Sequence, residues 1–154
     1  MASHECWLLP RSVALKKIVP TRSADGGTTT ILVVEDDRAI RYLFTAVLRG
    51  NGYVVIACED GVKGLEAARA NIAEISAVIT DSKMPGLSGR ELIAEIRALR
   101  PKLPILVVSG NLDDRGAGRN PADPATLFLT KPLSPDQLAI ELRRALDGAP
   151  RPAH

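Results

Sequence analysis

Ala77-Val78-Ile79-Thr80-Asp81-Ser82-Lys83-Met84 decides how the rest of the chain is read. A short apolar, β-branched run stops on an acidic residue. Runs of that kind are strands buried on both faces. The acid at the end then sits at a sheet edge, half desolvated and facing a crevice. Asp81 has a plainer reading, as a cap for the turn at Pro85-Gly86, a common use of Asp. The other strand ends decide between the two.

Working outward, Ile31-Leu32-Val33-Val34 is a first buried strand, Tyr53-Val54-Val55-Ile56-Ala57 a second, and Ala77-Val78-Ile79-Thr80 the third. Pro104-Ile105-Leu106-Val107-Val108 is the fourth and Thr126-Leu127-Phe128-Leu129 the fifth. Between the first two, Ile40, Leu43, Phe44, Val47 and Leu48 recur at helical spacing and stop at Gly50-Asn51-Gly52. A weaker helix runs through Val62, Leu65 and Ala68. Ser88-Gly89-Arg90-Glu91 is a capping box opening a helix with Leu92, Ile93, Ile96 and Leu99 on one side. Ser134-Pro135-Asp136-Gln137 is another, opening a last helix that carries Leu138, Leu142, Ala145 and Leu146 and ends at Gly148.

Strict alternation of strand and helix means a parallel sheet covered on both faces. About 120 residues suit an open, doubly wound sheet, since a closed barrel needs roughly 250. One interval breaks the rhythm: residues 111–125 hold Gly116, Gly118, Pro121 and Pro124, with Leu112 as the only large apolar residue. A helix there is expected to be short or irregular, and the interval mobile.

Composition bounds the function. Hydrophobic residues at 45% and charged residues at 25% rule against wholesale disorder. The net charge of +2 is too small to argue for nucleic acid, and it resides before residue 30, in Arg11, Lys16, Lys17 and Arg22 against Glu5 and Asp25. Cys6 and Cys58 form no spaced pair, and His4 and His154 stand at opposite ends, which argues against zinc or histidine catalysis. No apolar run approaches membrane-spanning length, and residues 1–20 lack the basic start and unbroken apolar stretch of a signal peptide. A cytoplasmic protein is expected. Residues 1–29, ending in the linker-like Ser23-Ala24-Asp25-Gly26-Gly27, read as a flexible extension; 30–148 read as the domain and 149–154 as a short tail.

In a parallel sheet all strands end on one side, where ligands bind. The first strand ends in Glu35-Asp36-Asp37, the third in Asp81, the fourth in Ser109-Gly110 and the fifth in Thr130-Lys131-Pro132. Crowded carboxylates respond by raising a pKa or holding a cation. Asp36, Asp81 and Glu35 offer hard oxygen ligands, which favours Mg²⁺. A carboxylate so placed can attack phosphorus to give an aspartyl phosphate. Lys131 and the Ser109 hydroxyl suit two phosphoryl oxygens, a reaction that needs positioning and charge neutralisation above all.

Val33-Val34-Glu35-Asp36-Asp37, Asp81 with Met84-Pro85-Gly86, Val108-Ser109-Gly110 and Lys131-Pro132 together resemble the receiver domains of two-component response regulators, over residues 30–147. The resemblance implies a flavodoxin-like fold with strand order 2-1-3-4-5. It implies that Asp81 accepts a phosphoryl group from a histidine kinase or phosphotransfer protein. Mg²⁺ is then held by Asp36 and Asp81, by Glu35 through water, and by the backbone carbonyl of Lys83. Lys131 pairs with the phosphoryl group, and Ser109 moves toward it, drawing Phe128 inward as the switch aromatic.

Three features depart from the family pattern. Lys83 stands two residues after the acceptor, where its ammonium is expected to lean over the phosphoryl group and slow hydrolysis, unless it points into solvent. Gly110 follows Ser109, which fits the switch and loosens the loop. The 111–125 interval replaces much of a helix that serves partner recognition in the family. With only Ala149-Pro150-Arg151-Pro152-Ala153-His154 after the domain, a stand-alone regulator or relay carrier without direct DNA binding is expected. A phosphorylation-independent binding module is the first alternative, although no key residue is lost. An aspartate-nucleophile phosphatase is disfavoured because Lys83 stands where such enzymes usually carry a second Asp. A phosphate-loop nucleotide binder lacks its motif, and Gly116-Ala117-Gly118-Arg119-Asn120-Pro121 has Pro where a third glycine is needed.

Overall fold

The computed structural model describes residues 28–110, 118–120 and 123–148. Residues 1–27 of the expected extension, the 149–154 tail and much of the 111–125 interval lie outside these residues. β1 (Thr30–Val34), α1 (Arg38–Gly50), β2 (Val54–Cys58), α2 (Gly61–Asn71) and β3 (Ile75–Asp81) alternate as the hydrophobic pattern requires. They are followed by α3 (Gly89–Leu99), β4 (Ile105–Ser109), β5 (Gly118–Asn120), β6 (Asp123–Thr130) and α4 (Pro135–Asp147).

The sheet order is β2-β1-β3-β4-β6-β5. Its five long strands are parallel and reproduce the expected 2-1-3-4-5 order. β1 lies inside the sheet, between β2 and β3, and its apolar residues divide between the faces. Ile31 and Val33 join Phe44, Leu48, Leu138 and Leu142 on the side covered by α1 and α4. Leu32 and Val34 join Ala68, Leu92 and Ile96 on the side covered by α2 and α3. A strand that is apolar at every position is thus used on both faces.

The helices depart from their apolar spacing in detail. On α1 the buried stripe is Arg41, Phe44, Thr45 and Leu48, while Leu43 is exposed. On α2 the buried residues are Gly61, Gly64 and Ala68, with Val62 exposed. A Cβ on Gly64 would stand 2.7 Å from Val34 Cγ2, so α2 sits on β1 as closely as a missing side chain permits. Leu99 on α3 is also exposed.

The capping box of α3 forms in full: Ser88 Oγ accepts from the Glu91 N–H at 3.2 Å, and Glu91 Oε2 accepts from the Ser88 N–H at 2.9 Å. At α4 only half of the expected box forms. Ser134 Oγ accepts from the Gln137 N–H, but its hydroxyl, not its backbone N–H, meets the Gln137 amide oxygen.

Of the 111–125 interval, residues 118–120 and 123–125 are described. Its described residues form no helix; Gly118–Asn120 is a sixth strand, antiparallel to β6, with Gly118 opposite Phe128 and Arg119 opposite Leu127. A Gly-Arg-Asn tripeptide carries no apolar alternation, and it becomes a strand because β6 offers it a free edge of backbone donors and acceptors.

Candidate phosphoacceptor site

The site is assembled at the carboxyl edge of the sheet by three connections. The chain leaves β1 at Val34 and turns through Glu35, Asp36 and Asp37 into α1, whose N-cap is the Asp37 side chain, accepting from the Ile40 N–H at 3.0 Å. The Glu35 N–H donates to the Cys58 carbonyl at 3.1 Å, which extends the β1–β2 ladder by one residue and holds Glu35 inward. Glu35 is 2% exposed. Beneath the turn lies Arg41, itself buried, whose Nη1 donates to the Glu35 carbonyl at 2.8 Å and the Asp36 carbonyl at 3.4 Å.

β3 carries Asp81 to the same edge, in register with Val108 of β4. Asp81 is 8% exposed, and its Oδ1 accepts from the Lys83 N–H at 3.2 Å. The next turn is drawn tightly back by Gly89, whose N–H donates to the Ser82 carbonyl at 3.2 Å. A Cβ on Gly89 would lie 2.3 Å from the Asp81 carbonyl oxygen, so only glycine fits.

Lys131 enters from the end of β6 through a cis peptide bond to Pro132. Its N–H donates to the Ser109 carbonyl at 2.8 Å, and its Nζ reaches Asp81 Oδ2 at 3.0 Å and Glu35 Oε2 at 3.4 Å. One ammonium thus bridges two buried carboxylates. Burial pushes the Lys131 pKa down, but its bond to Asp81 and the charges of Glu35 and Asp81 outweigh that, and the net shift is upward. Burial, followed by the Asp81 charge, raises Glu35 to about 7.

Glu35, Asp36 and Asp81 each place a carboxylate oxygen within 4.8 Å of the others, a group able to hold a metal ion. These oxygens, two buried and one exposed, fit a hard divalent cation that keeps some of its waters. Lys83 is exposed. Ser109 is buried, 5% exposed, and Phe128 is partly buried against the cluster on the α2/α3 side. The fold therefore brings Glu35, Asp36, Asp81, Ser109 and Lys131 to one edge, with Phe128 lower on β6. Sequence reasoning missed Arg41 and Ser82. Arg41 was detectable as a charge three and seven residues before Phe44 and Leu48, on the stripe that faces the sheet.

Residues 31–143 match the response regulator receiver domain family. The chain belongs to that family. This receiver domain is 35% identical over 136 residues to the sensor kinase CckA of Brucella abortus (strain 2308), covering 88% of this chain and 14% of that protein. It is 36% identical over 118 residues to the response regulator MprA of Mycobacterium sp. (strain KMS), covering 75% of this chain and 50% of that one. The chain spans half or less of the length of these two relatives. Among solved structures, it is similar to the receiver domain of the hybrid histidine kinase CckA, with 32% identity and a TM-score of 0.64 over 76% of this chain and 98% of that one. A receiver domain protein from Clostridium thermocellum gives 28% identity and a TM-score of 0.67 over 78% and 95%. As a receiver, the chain has the phosphoacceptor role of two-component signalling. Among the described residues, no helix is long and apolar enough to cross a membrane.

Proposed function

We propose that Asp81 is the phosphoacceptor and that its modification switches binding to a protein partner. An Asp81 oxygen attacks phosphorus of a phosphohistidine on a histidine kinase or phosphotransfer protein. The P–N bond breaks and its electron pair leaves with the imidazole. Small donors such as acetyl phosphate serve likewise, with the P–O bond breaking and acetate leaving. The supporting observation is the Lys131 bridge between two buried carboxylates at the sheet edge. A cation already poised at Asp81 has a phosphoryl oxygen to pair with once the acceptor is modified.

Asp36, Asp81, the backbone carbonyl of Lys83 and, through water, Glu35 are the proposed holders of Mg²⁺. The ion supplies charge neutralisation at the phosphoryl oxygens when bound. Ser109 turns its hydroxyl toward the new group and Phe128 follows, so a local charge biases a two-state element. Output is proposed to pass to a protein and not directly to DNA.

Intact mass spectrometry after incubation with acetyl phosphate and Mg²⁺ tests this reading. One phosphoryl group is expected, lost with EDTA or in Asp81→Asn. No gain in mass under conditions that label another receiver would refute it.

A further inference from the structure

Ser82 follows the proposed acceptor directly, and its hydroxyl donates to the Ser109 hydroxyl at 2.9 Å across the β3–β4 seam. Both partners are anchored. The Ser82 N–H donates to the Val108 carbonyl at 3.3 Å, and the Ser82 carbonyl accepts from Gly89. The Ser109 carbonyl accepts from the Lys131 N–H at 2.8 Å, and Ser109 lies in register with Thr130 of β6. With its backbone held from β6, the freedom left to the Ser109 hydroxyl is largely rotation about χ1, among three staggered positions. The hydroxyl pair stabilises one of them.

We propose that Ser82 is a positioning residue for the switch: its hydroxyl retains Ser109 in the unphosphorylated position and opposes its commitment to a phosphoryl oxygen on Asp81. This rests on the phosphoacceptor reading above. Two properties make the contact suitable. It couples residues 27 apart in sequence, so it depends on the β3–β4 register and not on one loop. It is also a neutral hydroxyl–hydroxyl bond, weaker than the charge-assisted bonds a phosphoryl group offers, so phosphorylation can overcome it. A resting population held back in this way lowers apparent affinity for any ligand that requires the turned-in Ser109.

The test uses the full chain with Mg²⁺ and beryllofluoride, a phosphoryl mimic that binds carboxylates, titrated by calorimetry. Loss of one neutral hydrogen bond corresponds to a factor of about two to ten. Ser82→Ala is expected to bind beryllofluoride tighter than the unaltered protein by that factor, and Ser82→Thr, which keeps the hydroxyl, to match it. In a Ser109→Ala background the Ser82→Ala effect is expected to vanish, which a general loosening of the loop would not produce. If Ser82→Ala binds no tighter, or its effect survives in Ser109→Ala, the positioning role is overturned. Acetyl phosphate labelling of Asp81 would leave the phosphoacceptor reading standing in that case. An unaltered protein that takes neither probe overturns both.

Discussion

Glu35 lies almost wholly out of solvent between a carboxylate and an ammonium, and its behaviour follows from which of the two it feels more. Burial and the Asp81 charge dominate, and its pKa rises from 4.5 to about 7. The folded state therefore favours the protonated form. Its contribution to stability is full below 4.5 and is lost as the pH rises through about 7. In metal-free buffer at pH 8, Glu35→Gln is expected to stabilise the fold by about 1–3 kcal/mol, because it removes the buried charge and keeps an acceptor for the Asp37 N–H. At pH 5 the gain should nearly disappear. Urea denaturation at the two pH values, in EDTA, checks both statements; an equal gain at both would mean that packing and not charge is responsible.

At the scale of elements, a side-chain network ties α3 to the start of β6, at the sheet end opposite the acids. Arg97 Nε donates to Asp123 Oδ2 at 2.7 Å, its Nη2 to Thr126 Oγ1 at 2.8 Å and its Nη1 to the Leu103 carbonyl at 2.6 Å. Burial pushes the Asp123 pKa up, but the bonds from Arg97 and Thr126 outweigh it and the net shift is downward. A depressed carboxylate stabilises above its unfolded value of 3.8, and that stability is lost as the pH falls through the lower folded value. Asp123→Asn is expected to cost about 1–2 kcal/mol at pH 7, with the difference from the unaltered protein narrowing as the pH drops below 3.8. Denaturation midpoints across that range measure it. Since β6 carries Phe128 and runs directly into Lys131, this network also anchors the start of the strand from which both project.

For the whole molecule, a cation bound at the acidic edge belongs to the folded state alone, because Glu35 and Asp36 come from the turn after β1 and Asp81 from the end of β3, which only the sheet brings together. Binding linkage then requires Mg²⁺ to stabilise the fold, by about 2.7 kcal/mol at a hundredfold excess over its dissociation constant. The melting temperature is expected to rise with Mg²⁺, and Asp36→Asn to abolish most of that rise while leaving the metal-free melting temperature unchanged or higher. A calorimetric scan with and without EDTA decides it. The same like-charge repulsion that makes the metal-free edge unfavourable makes the ion's effect large.

The chain order of strands and helices and the position of the acids at strand ends were legible in the residues, because each rests on a local property. Apolar β-branched runs such as Ile31–Val34 are strands wherever both faces can be covered, and Glu35, Asp81 and Ser109 follow such runs at once, Lys131 one residue later. The helix N-termini at Ser88 and Ser134 were local as well, although only Ser88 closes its full box. Tertiary structure alone decided what depends on a neighbour distant in sequence. Gly118–Asn120 is a strand because β6 presents an edge to it. Arg41 is buried, and Leu43 is not, because the acidic turn offers carbonyls on one side of α1. Ser82 meets Ser109 because the parallel register of β3 and β4 sets residues 27 apart side by side. Patterning by period can say which face of an element is apolar. What a polar group on that face finds there is settled only when the strands are paired, since a hydrogen bond requires a partner within about 3 Å and periodicity carries no distances between elements.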